Sequence, residues 1–167
     1  KLNVPLEPLT EGESYLEVLE AVVPAALAHF GPAVLVVQAG ADAHWEDPLA
    51  DLMLTTRDYE RVFRRVLDWA AAYTAGRVLF TIGGGYSLRA APRVWAILWL
   101  VLNDLPVPED LPPDWVWRWS HVLGPKPPLE LHDPLPLRVD IPRRVEIRHR
   151  NLQVAERLLE AARPYWL

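Results

Sequence analysis

Two short apolar runs, each leading directly into a loop, place the strongest constraint on how this chain can fold. Residues 33–38 read Ala-Val-Leu-Val-Val-Gln, and residues 77–82 read Arg-Val-Leu-Phe-Thr-Ile. Continuous apolar runs of this length, rich in β-branched residues, are typical of strands that are buried on both faces of a parallel sheet. The sequence therefore predicts two buried strands over these residues.

Amphipathic helical patterns alternate with the two strands. Apolar residues at helical spacing predict helices over residues 15–30, 55–76 and 92–103. Thr10 and Glu13 suggest a capping box ahead of the first helix. The order of helix, strand, loop, helix, strand, loop and helix is that of an α/β fold, so the two strands should be adjacent and parallel.

The composition changes beyond residue 105, where 11 of the 17 prolines lie. Proline pairs break regular elements, so residues 106–141 are expected to form an ordered but irregular surface excursion. Between residues 115 and 119 a tryptophan stands at every second position, which suggests a strand face, a partner site, or rings that simply pack over the domain. These residues are Trp115, Trp117 and Trp119.

A last amphipathic helix is expected within residues 142–167, with Pro142 in its first turn. Its predicted apolar face comprises Val145, Leu152, Ala155, Leu158, Leu159 and Ala162. The start of this helix is basic, and its charges most simply form a solvated face. With residues 1–105 carrying the sheet, its helices and the site loops, the 167-residue chain is expected to form one domain.

Composition excludes several functions. The net charge of -5 argues against a nucleic-acid partner, because phosphate binding depends on an excess of cations. With no cysteine in the chain, any metal must be held by Asp, Glu or His. No apolar stretch approaches the length of about 20 residues that spans a bilayer, and residues 1–10 lack a signal-peptide core. We therefore expect a cytoplasmic protein with no membrane partner, and the first residue, Lys1, suggests that sequence precedes it.

Both strands are followed by unusual loops. Residues 40–49 contain three carboxylates and an imidazole within six residues, and residues 83–86 form a glycine triplet followed by Tyr86. Ligands of parallel sheets bind outside the carboxyl ends of the strands, so the loops should lie side by side at a functional edge. Loop carboxylates and histidine suit a hard or borderline metal. On spacing alone, the acidic loop could equally be structural, with Asp42 capping a turn, and the glycines could form only a tight turn.

Four motifs in order make the chain recognisable. They are Val-Gln-Ala-Gly-Ala-Asp at 37–42, Glu-Asp-Pro-Leu at 46–49, Leu-Thr at 54–55 and Gly-Gly-Gly-Tyr at 83–86, and residues 3–6 and Tyr15 also fit. Together they resemble the carboxy-terminal half of the histone deacetylase superfamily, closest to bacterial acetoin-utilisation deacetylases. The resemblance is good over residues 2–102 and loose beyond them. It implies part of a three-layer α/β/α sandwich with a mainly parallel sheet.

The resemblance also implies roles for particular residues. Asp47 would be a protein ligand of a catalytic zinc, and the Tyr86 phenol would hydrogen-bond the substrate amide oxygen. Gly84 and Leu54 match positions that line the acyl-lysine channel. His44 lies beside the ligand loop with Trp45, but the family does not fix either residue, so the resemblance gives them no role.

The family's remaining machinery is missing from the sequence. Two further zinc ligands come from an upstream Asp-x-His motif, and the general base belongs to an upstream histidine pair. None of the five histidines of this chain lies in such a motif. Catalytic zinc needs three protein ligands, so the chain alone is expected to bind zinc weakly and to be inactive until a complementary amino-terminal half completes it.

The expected substrate is an acetylated protein or a small acetylated amine. A noncatalytic module that uses the same sheet edge and the tryptophan segment for partner binding or assembly is the alternative. A general α/β metallohydrolase, such as an arginase relative, is disfavoured because the Gly-Gly-Gly-Tyr step is not typical of that group.

Overall fold

A computed structural model describes residues 1–137 and 139–166. In these residues the elements are α1 (Gly12–Phe30), β1 (Leu35–Ala39), α2 (Thr56–Thr74), β2 (Val78–Ile82), α3 (Ala91–Leu102), α4 (Pro113–Leu123) and α5 (Arg144–Ala162), followed by a short 3-10 helix, Arg163–Tyr165. The fold is α/β, as predicted. None of the helices in the described residues is long and apolar enough to cross a membrane. The predicted cytoplasmic location stays a prediction.

The two strands are adjacent and parallel, which confirms the central prediction from the sequence. Leu35 lies opposite Val78, and the register continues to Ala39 opposite Ile82. Parallel neighbours need a long crossover connection, and α2 provides it between β1 and β2. The carboxyl ends of both strands therefore lie at the same edge.

Only one face of this sheet is covered within the described residues. Leu35, Val37, Val78 and Phe80 pack with apolar residues of α1 and α2, among them Leu27, Val66 and Trp69. On the opposite face the side chain of Val36 is 63% exposed and that of Leu79 is 55% exposed. The strands are therefore buried on one face only, and the other is the apolar face expected to be exposed in a chain without the amino-terminal half. Its described residues form one helical layer and the sheet, which makes the sandwich partial.

Local sequence explains α2 well. Thr55 caps the helix by accepting a hydrogen bond from the Asp58 backbone, and the Asp58 side chain accepts from the Thr55 backbone in return, which completes a capping box. The helix ends as predicted, with Ala75 and Gly76 both at positive φ. The boundaries of α2 are therefore set by residues within and next to the helix.

The start of α1 differs from the prediction. Glu11 is the N-cap and its side chain makes no capping bond, so the predicted capping box of Thr10 and Glu13 is wrong. The physical reason is that the Thr10 hydroxyl donates instead to the carbonyl of Glu7, at 2.6 Å. Phe30, the last of the apolar residues whose spacing predicted a helix over residues 15–30, is 79% exposed at the end of the helix.

The proline-rich segment contains a helix that the sequence did not predict. Pro113 begins α4, where the missing N–H of proline costs no helical hydrogen bond. Residues two apart on a helix point in nearly opposite directions, so the alternating tryptophans do not form one face. Trp115 packs against the core, whereas Trp117 is 80% exposed and Trp119 is 44% exposed. Packing over the domain is therefore correct for Trp115 alone.

The last helix packs against α1 through a buried asparagine. Asn151 is 0% exposed and donates to the hydroxyls of Thr10, at 2.8 Å, and Ser14, at 3.0 Å. The basic start of α5 is solvated as predicted. Val145 is 81% exposed, so its predicted place on the apolar face is wrong, because at this end of α5 the ion pairs of Arg144 and Arg148 with Glu11 and Glu17 make the contact with α1.

Candidate active site

The loops that follow β1 and β2 are joined by hydrogen bonds. The Gln38 side chain donates to the carbonyl of Gly83 at 2.7 Å, and the amide of Ala41 donates to the carbonyl of Gly84 at 2.8 Å. These bonds continue the contact between the strands past their ends. The predicted juxtaposition of the acidic loop and the glycine loop is therefore confirmed.

The glycine loop depends on glycine for both conformation and space. Gly84 has φ 81° and Gly85 has φ 117°, which are values that side chains with a Cβ disfavour. A Cβ on Gly85 would lie 2.7 Å from the Cβ of Ala41, and one on Gly84 would lie 3.0 Å from the Asp42 carboxylate. The two loops can approach this closely only because these residues lack side chains.

Asp47 connects the two loops at their tips. Its Oδ2 accepts a hydrogen bond from the backbone amide of Tyr86 at 2.7 Å, and its Oδ1 accepts from the amide of Leu49 at 2.9 Å. The carboxylate is half-buried, and the Tyr86 side chain is 58% exposed. The structure thus brings together the residues for which the sequence predicted metal binding and substrate contact, although their roles stay predictions.

Leu54 lies beneath the acidic loop. Its amide donates to the carbonyl of Ala43 at 3.1 Å, and its carbonyl accepts from the amide of Trp45 at 3.0 Å. Its side chain is 1% exposed and borders a cavity of about 410 Å³ between α1, α2 and the sheet. Burial and the charge of Asp42 raise the pKa of Tyr15 at the polar end of this cavity, so that hydroxyl stays protonated. The predicted place of Leu54 in a substrate channel stays a prediction.

A buried group of three charged or polar side chains lies behind the acidic loop, and we call it the inner cluster. It comprises His44, Arg93 and Asp133, whose exposed fractions are 0%, 3% and 2%. Asp133 Oδ2 accepts from His44 Nε2 at 2.9 Å, and Asp133 Oδ1 accepts from the Arg93 guanidinium at 2.9 Å. The amide of Thr56, at 2.8 Å, and its hydroxyl, at 3.0 Å, also donate to Oδ2.

These contacts stabilise the charged form of Asp133. Burial by itself would raise the pKa of its carboxyl, but the hydrogen bond from His44 and the charge of Arg93 outweigh burial and hold the pKa below its ordinary value. Sequence reasoning missed this cluster. The signal that could have found it is Arg93, which is the only charged residue of the otherwise apolar α3.

His132 lies next to the inner cluster but makes different contacts. Its Nε2 is 3.1 Å from the Glu60 carboxylate, and its Nδ1 is 3.4 Å from the hydroxyl of Thr56. The side chain is 6% exposed. Burial, together with the charge of Arg57, holds the pKa of His132 below its ordinary value in spite of Glu60.

The described residues do not contain a complete metal centre. No group of three or more His, Cys, Asp or Glu side chains among residues 1–137 and 139–166 is arranged to hold a metal ion. The carboxylate of Asp47 is a suitable zinc ligand by its chemistry, since zinc accepts oxygen donors from Asp. Its role as a zinc ligand stays a prediction.

Comparison with known proteins identifies the family. The model of the histone deacetylase domain matches residues 1–102. The chain belongs to the histone deacetylase family. Within this family it is similar to the acetoin utilization protein AcuC of Bacillus subtilis, with 36% identity over 162 residues, and to AcuC of Staphylococcus xylosus, with 32% identity over 160 residues.

Solved structures of the family share the fold. The histone deacetylase Clr3 matches 93% of the chain with a TM-score of 0.59 and 16% identity, and the HDA15 HD domain matches 98% with a TM-score of 0.64 and 20% identity. The alignments with AcuC of Bacillus subtilis and of Staphylococcus xylosus cover 96% and 95% of this chain but only 42% of each AcuC protein. The structural matches cover 22% of the Clr3 chain and 36% of the HDA15 chain. The chain therefore spans less than half the length of these family members.

Proposed function

We propose that this chain is the carboxy-terminal part of a zinc-dependent deacetylase that hydrolyses the amide of an acetyl-lysine or of a small acetylated amine. One observation carries the proposal, namely the 2.7 Å hydrogen bond from the Tyr86 amide to Asp47 Oδ2. It puts the two residues that the family resemblance assigns to zinc and substrate at one edge of the sheet. Membership of the histone deacetylase family supports the reaction class.

Each residue has a distinct part in the proposed chemistry. Asp47 would be one ligand of the zinc, and hydrogen bonds to both of its carboxylate oxygens fix the direction of its side chain. Zinc, when bound, supplies Lewis-acid polarisation of the amide carbonyl and lowers the pKa of water. The exposed Tyr86 hydroxyl donates to the carbonyl oxygen as negative charge develops there. By the family resemblance, Gly84 and Leu54 would line the channel for the acyl chain; Leu54 is 1% exposed and borders the cavity between α1, α2 and the sheet.

Activity requires an amino-terminal half, present as upstream sequence or as a separate chain. Asp47 is one ligand, whereas catalytic zinc sites have three protein ligands. The open sheet face, with Val36 63% exposed and Leu79 55% exposed, supports the same proposal, because parallel sheets are normally covered on both faces. So does the 42% coverage of the AcuC proteins.

The test compares the 167-residue chain with the same chain joined to the upstream half, both supplied with zinc and an acetyl-lysine peptide. We expect turnover from the joined protein only, and we expect a chelator or Asp47→Ala to abolish it. Leu49→Ala is the matched control, because Leu49 is 68% exposed and contributes only its amide to Asp47. Chelator-sensitive turnover by the isolated chain would show that a local residue completes the site.

A noncatalytic partner-binding or assembly module is the second candidate. The 80% exposure of Trp117 favours it, since large exposed aromatic rings often mark contact surfaces. The same preparation distinguishes the two functions. A joined protein that folds, binds no zinc and turns over no acetylated peptide would support the second candidate.

A further inference from the structure

His44 makes a specific hydrogen bond with each of its ring nitrogens. Its Nδ1 accepts from the backbone amide of Glu46 at 3.1 Å, and its Nε2 faces Asp133 Oδ2 at 2.9 Å. An acceptor nitrogen carries no proton, so these contacts assign the tautomer with the proton on Nε2. The ring is therefore oriented from both sides, inside a site where its side chain is 0% exposed.

The same residue shapes the turn that carries Asp47. The carbonyl of His44 accepts from the amide of Asp47 at 2.8 Å, while its ring holds the amide of Glu46. A continuous set of contacts thus runs from Asp133 to His44, from His44 to the backbone at 46–47, and from the Asp47 carboxylate to the amide of Tyr86. It connects the proline-rich segment to the exposed edge of the sheet.

Arg93 reinforces the connection from the other side. Its guanidinium is 2.9 Å from Asp133 Oδ1 and 3.4 Å from the Glu46 carboxylate. Arg93 therefore ties Glu46 to the inner cluster, to which His44 itself belongs. A buried ion pair is a poor way to gain stability, because desolvation offsets much of its attraction. In this site the ion pair fixes the orientation of the side chains, since charge-assisted hydrogen bonds constrain geometry that apolar contacts leave free.

We propose that His44 and Asp133 are positioning residues that hold Asp47 in the direction needed for metal binding, an inference that rests on the proposed function. His44 touches neither substrate nor metal in this role and acts through the turn at 44–47. Residues that orient a metal ligand in this manner change metal affinity or activity by about 10- to 100-fold when they are replaced.

The test uses the joined protein and two variants that break the connection at different points. Asp133→Asn has a single acceptor oxygen and must turn its NH2 towards Arg93 or His44, both of which are donors. His44→Asn places its amide oxygen where Nδ1 was and keeps the bond to Glu46, but it is too short to reach Asp133. It leaves the Asp133–Arg93 pair intact, so it can be studied even if Asp133→Asn does not fold.

His132→Gln is the matched control. It changes a buried polar side chain of the same segment, one whose contacts are with Glu60 and Thr56 and not with the turn at 44–47. The readouts are zinc affinity by competition titration, hydrogen exchange of the Glu46 and Tyr86 amides, and kcat and KM measured separately. We expect about 10- to 100-fold weaker zinc binding and faster exchange of the Tyr86 amide in both test variants, with KM little changed. The control should match the unmodified protein in all three.

The outcomes separate this inference from the proposed function. If Asp47→Ala weakens zinc binding while Asp133→Asn and His44→Asn leave zinc affinity and Tyr86 exchange unchanged, the positioning role is wrong and the proposed function stands. If Asp47→Ala itself leaves zinc affinity unchanged, the proposed function fails and the inference fails with it. Equal losses in His132→Gln would show a general packing defect and would also overturn the inference.

Discussion

The acidic loop carries two polar regions that differ in almost every physical respect. At its inner end, His44 is 0% exposed and hydrogen-bonds Asp133, which is 2% exposed and paired with Arg93. At its outer end, Asp47 is half-buried beside Tyr86, which is 58% exposed. The charged groups of the inner region are paired with one another inside the protein, whereas the outer region has groups that a ligand can reach from solvent. Stability and the proposed chemistry are therefore assigned to two residues of the loop that lie only three positions apart.

The largest effect is expected from breaking the inner region. Arg93→Ala leaves the buried Asp133 carboxylate without its cation, and loss of one partner of a buried pair costs about 3–5 kcal/mol. Urea unfolding of the joined protein measures this cost. Arg93→Lys keeps the charge but lacks the planar guanidinium. Its free energy of unfolding should therefore lie between those of the unmodified protein and Arg93→Ala. A cost below about 1 kcal/mol would mean that the inner cluster contributes no more to stability than an exposed ion pair does.

An outer change should affect chemistry and leave stability intact. Tyr86→Phe removes only a hydroxyl from an exposed ring, so the free energy of unfolding should not change measurably. Loss of a hydrogen-bond donor to a developing oxyanion lowers kcat by about 10²- to 10³-fold. Steady-state assay of the joined protein with an acetyl-lysine peptide gives the number. Unchanged kcat would remove Tyr86 from the proposed chemistry.

A smaller effect should appear as acid sensitivity at His132, next to the inner cluster. Burial and Arg57 lower the pKa of His132, so below the unfolded value of about 6.5 the unfolded chain takes up a proton that the folded chain does not. Stability from this group is complete above that pH and is lost as the pH falls. Thermal unfolding between pH 8 and pH 5 should therefore show a steeper loss in the unmodified protein than in His132→Gln. Parallel curves would contradict the shift.

The smallest effect is expected at an exposed pair used as a reference. Glu20 and Arg65 lie 3.0 Å apart, and each is 43% exposed. Solvent screening leaves such a pair worth about 0.2–1 kcal/mol, and Glu20→Gln should stay within that range in the same urea experiment. A loss comparable to that of Arg93→Ala would mean that burial does not separate the two kinds of pair.

Local features of this fold were predictable. Thr55 at the start of α2, Asp58 in its first turn and Gly76 after its end are local signals, so α2 was predicted nearly to its ends. The loops after β1 and β2 were predicted to meet because parallel strands bring their carboxyl ends together. α4 was missed because Pro113 was interpreted as a helix breaker rather than as a first helical residue.

Long-range contacts were not predictable from the pattern. His44 and Asp133 are separated by 89 positions, and nothing in the neighbourhood of either residue specifies the other. The same limit applies to Val36 and Leu79, whose apolar character predicted burial. Burial needs a covering layer, and the described residues include none on that face of the sheet. Composition predicted the tendency of these residues and not the presence of a neighbour.

The hydrogen bonds that join the two loops also restrict how this edge can vary in evolution and engineering. Gln38 is hydrogen-bonded to Gly83, and Ala41 is hydrogen-bonded to Gly84, so the register of the two strands sets the position of both loops. A residue inserted in either loop would displace Asp47 or Tyr86 by up to about 3.5 Å along the chain, with no matching shift across the gap. Sequence diversity at this edge should therefore come from substitutions at exposed positions such as Leu49 and Leu88. Insertions and deletions in either loop should not be tolerated.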